Sequence, residues 1–176
     1  MDTASPFPLA VSLHSPGRAD RTEFLNAVWE SRALHGEWVS PPETRGAYAA
    51  YLARLKSSRN EAFLIRDEED GGLVGAVNVS EIVRGDFQSA YLGYYAFVAK
   101  AGRGLMTAGL QALVQHAFRE MGLHRLEANI QPRNTRSIRL AERCGFRHEG
   151  LSRHYLRING VWQDHERYAI TVEDMG

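Results

Sequence analysis

The chain has 176 residues, 44% of them hydrophobic and 24% charged, the composition of an ordinary soluble domain with enough apolar residues for one sizeable core. Lys plus Arg and Asp plus Glu balance at 21 each, which excludes a long-range field that would draw the chain to nucleic acid or to an acidic membrane. A single cysteine, Cys144, excludes an internal disulfide, and no apolar run approaches the roughly 20 residues needed to cross a bilayer.

The start MDTASPFPLAVSLHSPG lacks the basic and continuously apolar regions of a secretory signal, which predicts a reducing, cytoplasmic location. After a short apolar stretch from Leu9 to Leu13, residues Ala19 to Leu34 space Phe24, Leu25, Val28 and Trp29 as a helix does, with Asp20 placed to cap it and Gly36 and Pro41-Pro42 to end it. A second helical pattern from Glu43 to Lys56 carries Tyr48, Tyr51, Leu52 and Leu55. Ala62 to Arg66 and Leu73 to Ile82 read as strands joined at Asp70-Gly71-Gly72, and Ala90 to Val98 as a further, aromatic strand. The pattern then becomes helical, with Leu105, Leu110, Leu113, Val114 and Phe118 on one face, and stops at Gly122. Arg125 to Ile130 is again strand-like, Thr135 to Arg143 is a helix closed by Gly145, and Phe146 onward supplies two strands joined at Asn159-Gly160. No repeat and no long linker divides the chain, so residues 1–176 read as one α+β domain with an antiparallel-rich sheet flanked by helices.

The most informative local feature is Ala101-Gly102-Arg103-Gly104-Leu105-Met106, between a predicted strand and the longest predicted helix. A strand-to-helix turn of small residues leaves several backbone N–H groups unpaired and aimed at one spot, and the helix dipole adds roughly half a positive charge there. That spot suits a pyrophosphate, with Arg103 able to add a charge-assisted contact or to lie in solvent. The same glycines also serve in a plain tight turn. Neither the dinucleotide fingerprint nor the P-loop is present, which disfavours a Rossmann enzyme or an NTPase.

These residues resemble the pyrophosphate loop of GNAT acyltransferases, Arg/Gln, x, x, Gly, x, Gly/Ala, with two departures: Ala101 stands at the Arg/Gln place and Met106 at the final small-residue place. The wording Gly-Arg-Gly-Leu-Met resembles the Rim-type branch, whose members acetylate protein N-termini. Asn134 to Ser137, then Ala141 through Phe146, is similar to that branch's Asn-x-x-Ser helix and its closing Gly-Phe. The stretch from Gly150 through His165 resembles its C-terminal hairpin, and Trp38 and Pro41 its Trp-x-x-Pro turn. The resemblance covers roughly residues 72–170. It implies a twisted, mostly antiparallel sheet that splays between its fourth and fifth strands, with acetyl-CoA in the opening, and no metal is expected because the seven histidines lack metal-binding spacing and there is one cysteine.

Acyl transfer to an amine needs a neutral amine, a stabilised oxyanion and a proton for the departing thiolate. A splayed strand has lost a ladder partner, so the backbone N–H groups of Phe97 and Val98 are expected to hold the thioester oxygen. Many GNAT enzymes protonate the thiolate with a Tyr after the Asn motif, but Ala141 occupies that position here. Ser137 is the expected substitute, its alternative role being a first-turn residue bonding its own backbone. Asn134 is both a helix cap and, by resemblance, a contact of the pantetheine arm. Glu127, on the fifth strand, is the candidate base, although alternation leaves its face open. His154 and His165 fall in the C-terminal hairpin, where a lone His is more often structural or solvated. Tyr155 lines the acceptor pocket or packs the sheet, and Trp38 stands at the mouth of the site or anchors its loop, with Glu37 and Glu43 available to attract a cationic amine. The expected acceptor is a protein or peptide N-terminus, as in ribosomal proteins, and small amines such as polyamines or aminoglycosides are the alternative. A CoA-binding module without catalysis, or an interaction protein, are the other readings, and the chain is expected to act as a monomer or homodimer.

Overall fold

The computed structural model describes residues 10–175; residues 1–9, including the Leu9 end of the first apolar stretch, and residue 176 lie outside it. Strands β1 (Val11–His14), β2 (Glu61–Asp67), β3 (Leu73–Val83), β4 (Ser89–Ala96), β5 (Arg125–Ile130), β6 (Arg147–Ile158) and β7 (Val161–Thr171) form one sheet in the order β1-β2-β3-β4-β5-β7-β6. Every neighbouring pair is antiparallel except β4 and β5. The helices are α1 (Arg21–Glu30), α2 (Arg32–His35), α3 (Arg45–Arg54), α4 (Leu105–Arg119) and α5 (Thr135–Arg143).

Period-two alternation along the buried strands builds the two cores. In β2, Ala62 and Leu64 point to Phe24, Val28, Tyr48 and Tyr51 of α1 and α3, whereas Phe63 and Ile65 point to Leu105, Leu110 and Leu113 of α4. Helices therefore cover both faces, and this is why β2 and β3 read as near-continuous apolar runs. Helix α4 lies tight on the sheet because Gly109 faces Ile65: a Cβ there would sit 2.5 Å from the Ile65 side chain.

Several expected boundaries move for identifiable reasons. The single helix expected from Ala19 to Leu34 breaks at Ser31, whose hydroxyl donates to Ala27 O at 2.6 Å and accepts the Val98 N–H at 2.9 Å. Asp20 does not cap α1: its Oδ2 takes the Gly17 N–H at 2.8 Å and its Oδ1 pairs with Arg66 at 2.9 Å. The helix expected from Glu43 starts at Arg45, because Thr44 Oγ1 accepts the Ala47 N–H at 3.1 Å and caps it. Strand β4 ends at Ala96, after which Val98–Lys100 form a 3₁₀ turn. The Asn159-Gly160 turn has φ of 49° and 82°, the left-handed pair that a two-residue hairpin demands.

Candidate active site

Strands β4 and β5 pair only from Ser89↔Arg125 to Leu92↔Ala128. Beyond that point β4 continues to Ala96 against β3, while β5 leaves toward α5, so one edge of β4 is open. Phe97 N donates to Val74 O at 2.8 Å, and alternation along an antiparallel ladder then turns the Tyr94 and Ala96 N–H groups toward the open edge. The expected donors are thereby corrected: the Phe97 N–H is held by β3, and the Val98 N–H by Ser31 Oγ. Ala96 is the last residue whose N–H faces the opening. Its carbonyl accepts from His35 Nε2 at 2.8 Å, and burial pushes the His35 pKa down, keeping that ring neutral.

The glycine turn follows. Gly102 and Gly104 have φ of 77° and 78°, left-handed values that side chains rarely adopt. The first bond of α4 runs from Ala108 N to Gly104 O at 3.1 Å, and no protein partner among the described residues takes the N–H groups from Gly102 through Thr107. Six successive donors, with the positive end of a 15-residue helix behind them, make an anion cradle. Lys100 anchors the turn, its ammonium donating to Asp67 at 2.8 Å and to Asp70 at 2.5 Å. Arg103 does not enter the cradle. It reaches back to Glu69 at 3.4 Å and Asp67 at 3.7 Å, an acidic contact that takes the place of either alternative left open by the sequence, a phosphate or bare solvent. The Leu105 side chain is buried in the core, leaving its backbone to the cradle. Met106 is accommodated at the small-residue position by Gly75 on β3: a Cβ on Gly75 would stand 2.7 Å from the Met106 sulfur.

A cleft of about 1320 Å³ runs from this cradle along the open edge of β4 to α5, and Ala101, Gly102, Gly104, Met106, Tyr94 and Asn134 line it. Its far wall carries Arg136, Arg139 and Arg143, at helical spacing on α5. Sequence reasoning passed over this stripe, although the spacing of three and four residues was there to be seen.

On the α5 side of the cleft, Asn134 Oδ1 accepts the Ser137 N–H at 3.2 Å and so caps α5. The Ser137 hydroxyl is thus released from capping, and it donates to Tyr94 Oη at 3.0 Å, while Tyr94 donates to the Ser137 carbonyl at 3.3 Å. Tyr94 is partly buried between the two cavities, and burial pushes its pKa up, so it stays a phenol at any ordinary pH. It is a functional candidate that sequence reasoning did not single out.

A second cavity of about 480 Å³ adjoins the first and shares Trp38, Val39, Tyr94 and Asn134 with it. Ser137, Tyr91, Tyr155 and His165 also line it. Tyr155 gets there through a bulge in β6, where the register shifts between Ser152 and Leu156, and His154, at φ 46°, donates its N–H to Asp164 at 2.8 Å. Ser40 Oγ donates to Asn159 Oδ1 at 2.7 Å, which ties the Trp38 loop to the hairpin tip.

The expected acidic residues are committed elsewhere. Glu127 lines neither cavity; Arg125 holds one carboxylate oxygen at 3.0 Å and Arg167 the other at 2.7 Å, so the proposed base is a member of an ion triad. Glu37 pairs with Arg133 at 2.9 Å and Glu43 with Arg32 at 3.6 Å, so neither is a free carboxylate for an incoming cation.

An anion cradle at the head of a helix that follows a splayed strand is the arrangement that the sequence resemblance anticipated, and residues 11–147 match the acetyltransferase (GNAT) domain. The chain belongs to the GNAT family of N-acetyltransferases. This GNAT chain is 41% identical over 124 residues to the probable N-acetyltransferase YjcK of Bacillus subtilis, covering 70% of its own length and 68% of that protein. It is 39% identical over 112 residues to the [Ribosomal protein uS5]-alanine N-acetyltransferase of Escherichia coli, a match that spans 64% of this chain and 58% of that protein. Among solved structures, Mycobacterium smegmatis RimJ in complex with CoA-disulfide superposes with a TM-score of 0.85 at 28% identity, over 94% of this chain and 83% of that one.

Proposed function

We propose that this chain transfers an acetyl group from acetyl-CoA directly to a primary amine in a ternary complex, the acceptor being a protein N-terminal α-amine. The observation that carries the reading is the meeting of two cavities at Tyr94, Asn134, Trp38 and Val39. One cavity leads to the anion cradle and the other to a pocket of aromatic and neutral side chains. The free N–H groups from Gly102 to Thr107 suit a pyrophosphate, and the open edge of β4 suits the amides of a pantetheine arm. A thioester lying at the junction would have the Ala96 N–H beside its oxygen and Ser137 beside its sulfur.

The lining of the second cavity favours a monoamine over a polycation. Its one lining carboxylate among the described residues, Glu81, is ion-paired with Arg59. A polyamine would require several uncompensated carboxylates. The relative named for alanine acetylation of ribosomal protein uS5 supports the same acceptor class. The reading places the reaction in the cytoplasm, carried out by one domain as a monomer or homodimer. The test is CoA-thiol release from acetyl-CoA with peptides bearing different first residues and with small amines, spermidine included. Peptides beginning with Ala or Ser should be turned over and spermidine should not. Turnover of spermidine alone would reverse the acceptor assignment. A rise in melting temperature with acetyl-CoA, but no thiol release with any amine, would make the chain a binding module.

A further inference from the structure

Resting on the reading just given, we propose that His165 is the general base of the acceptor site: its Nε2 takes the proton of the incoming ammonium while Asn129 Oδ1 holds a second N–H of the same nitrogen.

The tautomer of His165 follows from its partner. Nδ1 lies 2.9 Å from the Gln163 carbonyl, which can only accept, so Nδ1 carries the proton and a neutral ring presents its lone pair on Nε2. Nε2 has no hydrogen-bond partner among the described residues, and the ring lines the 480 Å³ cavity. Asn129 lines the same cavity, and its Oδ1 is buried without a hydrogen-bond partner. A buried acceptor left unpaired costs about 1–3 kcal/mol, a cost that a bound N–H donor removes. The two side chains share a face: Asn129 on β5 is opposite Arg167 on β7, and His165 is two residues along from Arg167. One empty acceptor and one unshared lone pair are what a primary ammonium, rich in donors, requires.

Other groups facing His165 are less suited to the task. Tyr155 of β6, with its ring centroid 6.3 Å from that of His165, and Tyr91 of β4 are phenols, and the Tyr91 pKa is pushed up to about 12 chiefly by its hydrogen bond to Tyr155. Glu127 of β5 is held by Arg125 and Arg167, and Glu81 of β3 pairs with Arg59. The adjacent Asp164 accepts the His154 N–H. An imidazole with a free lone pair is also the side chain most often used as a general base.

The step balances as follows. R–NH₃⁺ gives one proton to Nε2 and becomes R–NH₂. Its nitrogen attacks the thioester carbon, the C–N bond forms, the C–S bond breaks and the sulfur takes a proton from the Ser137 hydroxyl. The second proton lost by the nitrogen restores Ser137, and the imidazolium returns its proton to solvent. The net products are the acetamide, CoA thiol and one proton.

His165→Gln keeps an N–H donor for the Gln163 carbonyl and removes the basic nitrogen. At neutral pH it should lower kcat/KM for an N-terminal peptide by about 10²-fold, leave acetyl-CoA affinity within about twofold, and close the gap as pH rises past the acceptor's pKa, where the amine arrives neutral. Asn129→Ala should raise the peptide KM several-fold, with a smaller effect on kcat. A His165→Gln profile parallel to the parent's at every pH overturns the role of His165 and leaves the proposed function standing. A parent that acetylates no amine overturns both. If His165→Gln does not fold, ¹⁵N resonances of the parent's imidazoles decide: Nε2 of His165 must be unprotonated at neutral pH and must move when peptide is added, and a protonated Nε2 overturns the assignment.

Discussion

The Ser137 hydroxyl donates to the Tyr94 phenol across 3.0 Å, joining the first turn of α5 to the free edge of β4 beside the junction of the two cavities. Since Asn134 caps α5, the Ser137 hydroxyl can rotate to an incoming sulfur while Tyr94, protonated at any working pH, turns its O–H to Ser137 Oγ. Ser137→Ala should lower kcat by about 10²-fold and leave acetyl-CoA affinity nearly unchanged, because the interaction matters mainly in the transition state. Tyr94→Phe should lower kcat by about tenfold, and the double variant should be no slower than Ser137→Ala, since the two hydroxyls act as one unit. Single-turnover rates and calorimetric affinities on the three variants check this. A kcat within about threefold of the parent for Ser137→Ala would remove Ser137 from the chemistry and leave proximity and the Ala96 N–H to carry the step.

Gly104, at φ 78°, lies within the run of free N–H groups, at the point where α4 begins. Gly104→Val would force a β-branched residue into a conformation that costs about 1–3 kcal/mol, and its methyls would fill the space above the donors. Acetyl-CoA binding should fall below detection by calorimetry while circular dichroism still reports a folded chain. Arg103→Ala should change affinity by less than about threefold, since that guanidinium already faces Glu69 and Asp67. Tight CoA binding by Gly104→Val would show that the cradle lies elsewhere.

Lys100 makes stability respond to acid. Its ammonium is the first cause holding the Asp67 and Asp70 carboxyls below their ordinary value of 3.8. A carboxyl with a lower pKa folded than unfolded stabilises the fold above its unfolded value, and that stability is lost as pH falls through the folded pKa. The parent should therefore lose melting temperature steeply as pH drops below about 4. Lys100→Met should melt lower at neutral pH and show a shallower acid slope, measured by thermal denaturation from about pH 7 down to about pH 3. An unchanged slope would exclude the cluster as its source.

The sequence by itself determined what depends on neighbouring residues. Arg125–Ile130 and Thr135–Arg143 appear with the bounds their periodicity predicted, the left-handed Gly102, Gly104 and Asn159-Gly160 sit where their chemistry allows, and the motif order led to the family. These signals are local because dihedral preference and side-chain period act over a few residues. Tertiary structure decided which hydrogen-bonding groups remained free. Ser31 takes the Val98 N–H from 67 positions away, Arg167 takes Glu127 from 40, and Tyr94 meets Ser137 across 43. Such pairings follow from strand order and from where β4 and β5 part, which nothing within a short window encodes. The glycine turn of the candidate site was thus legible in the sequence. The division of its polar groups between chemistry and support was not, because each group's role depends on which distant partner has already claimed it.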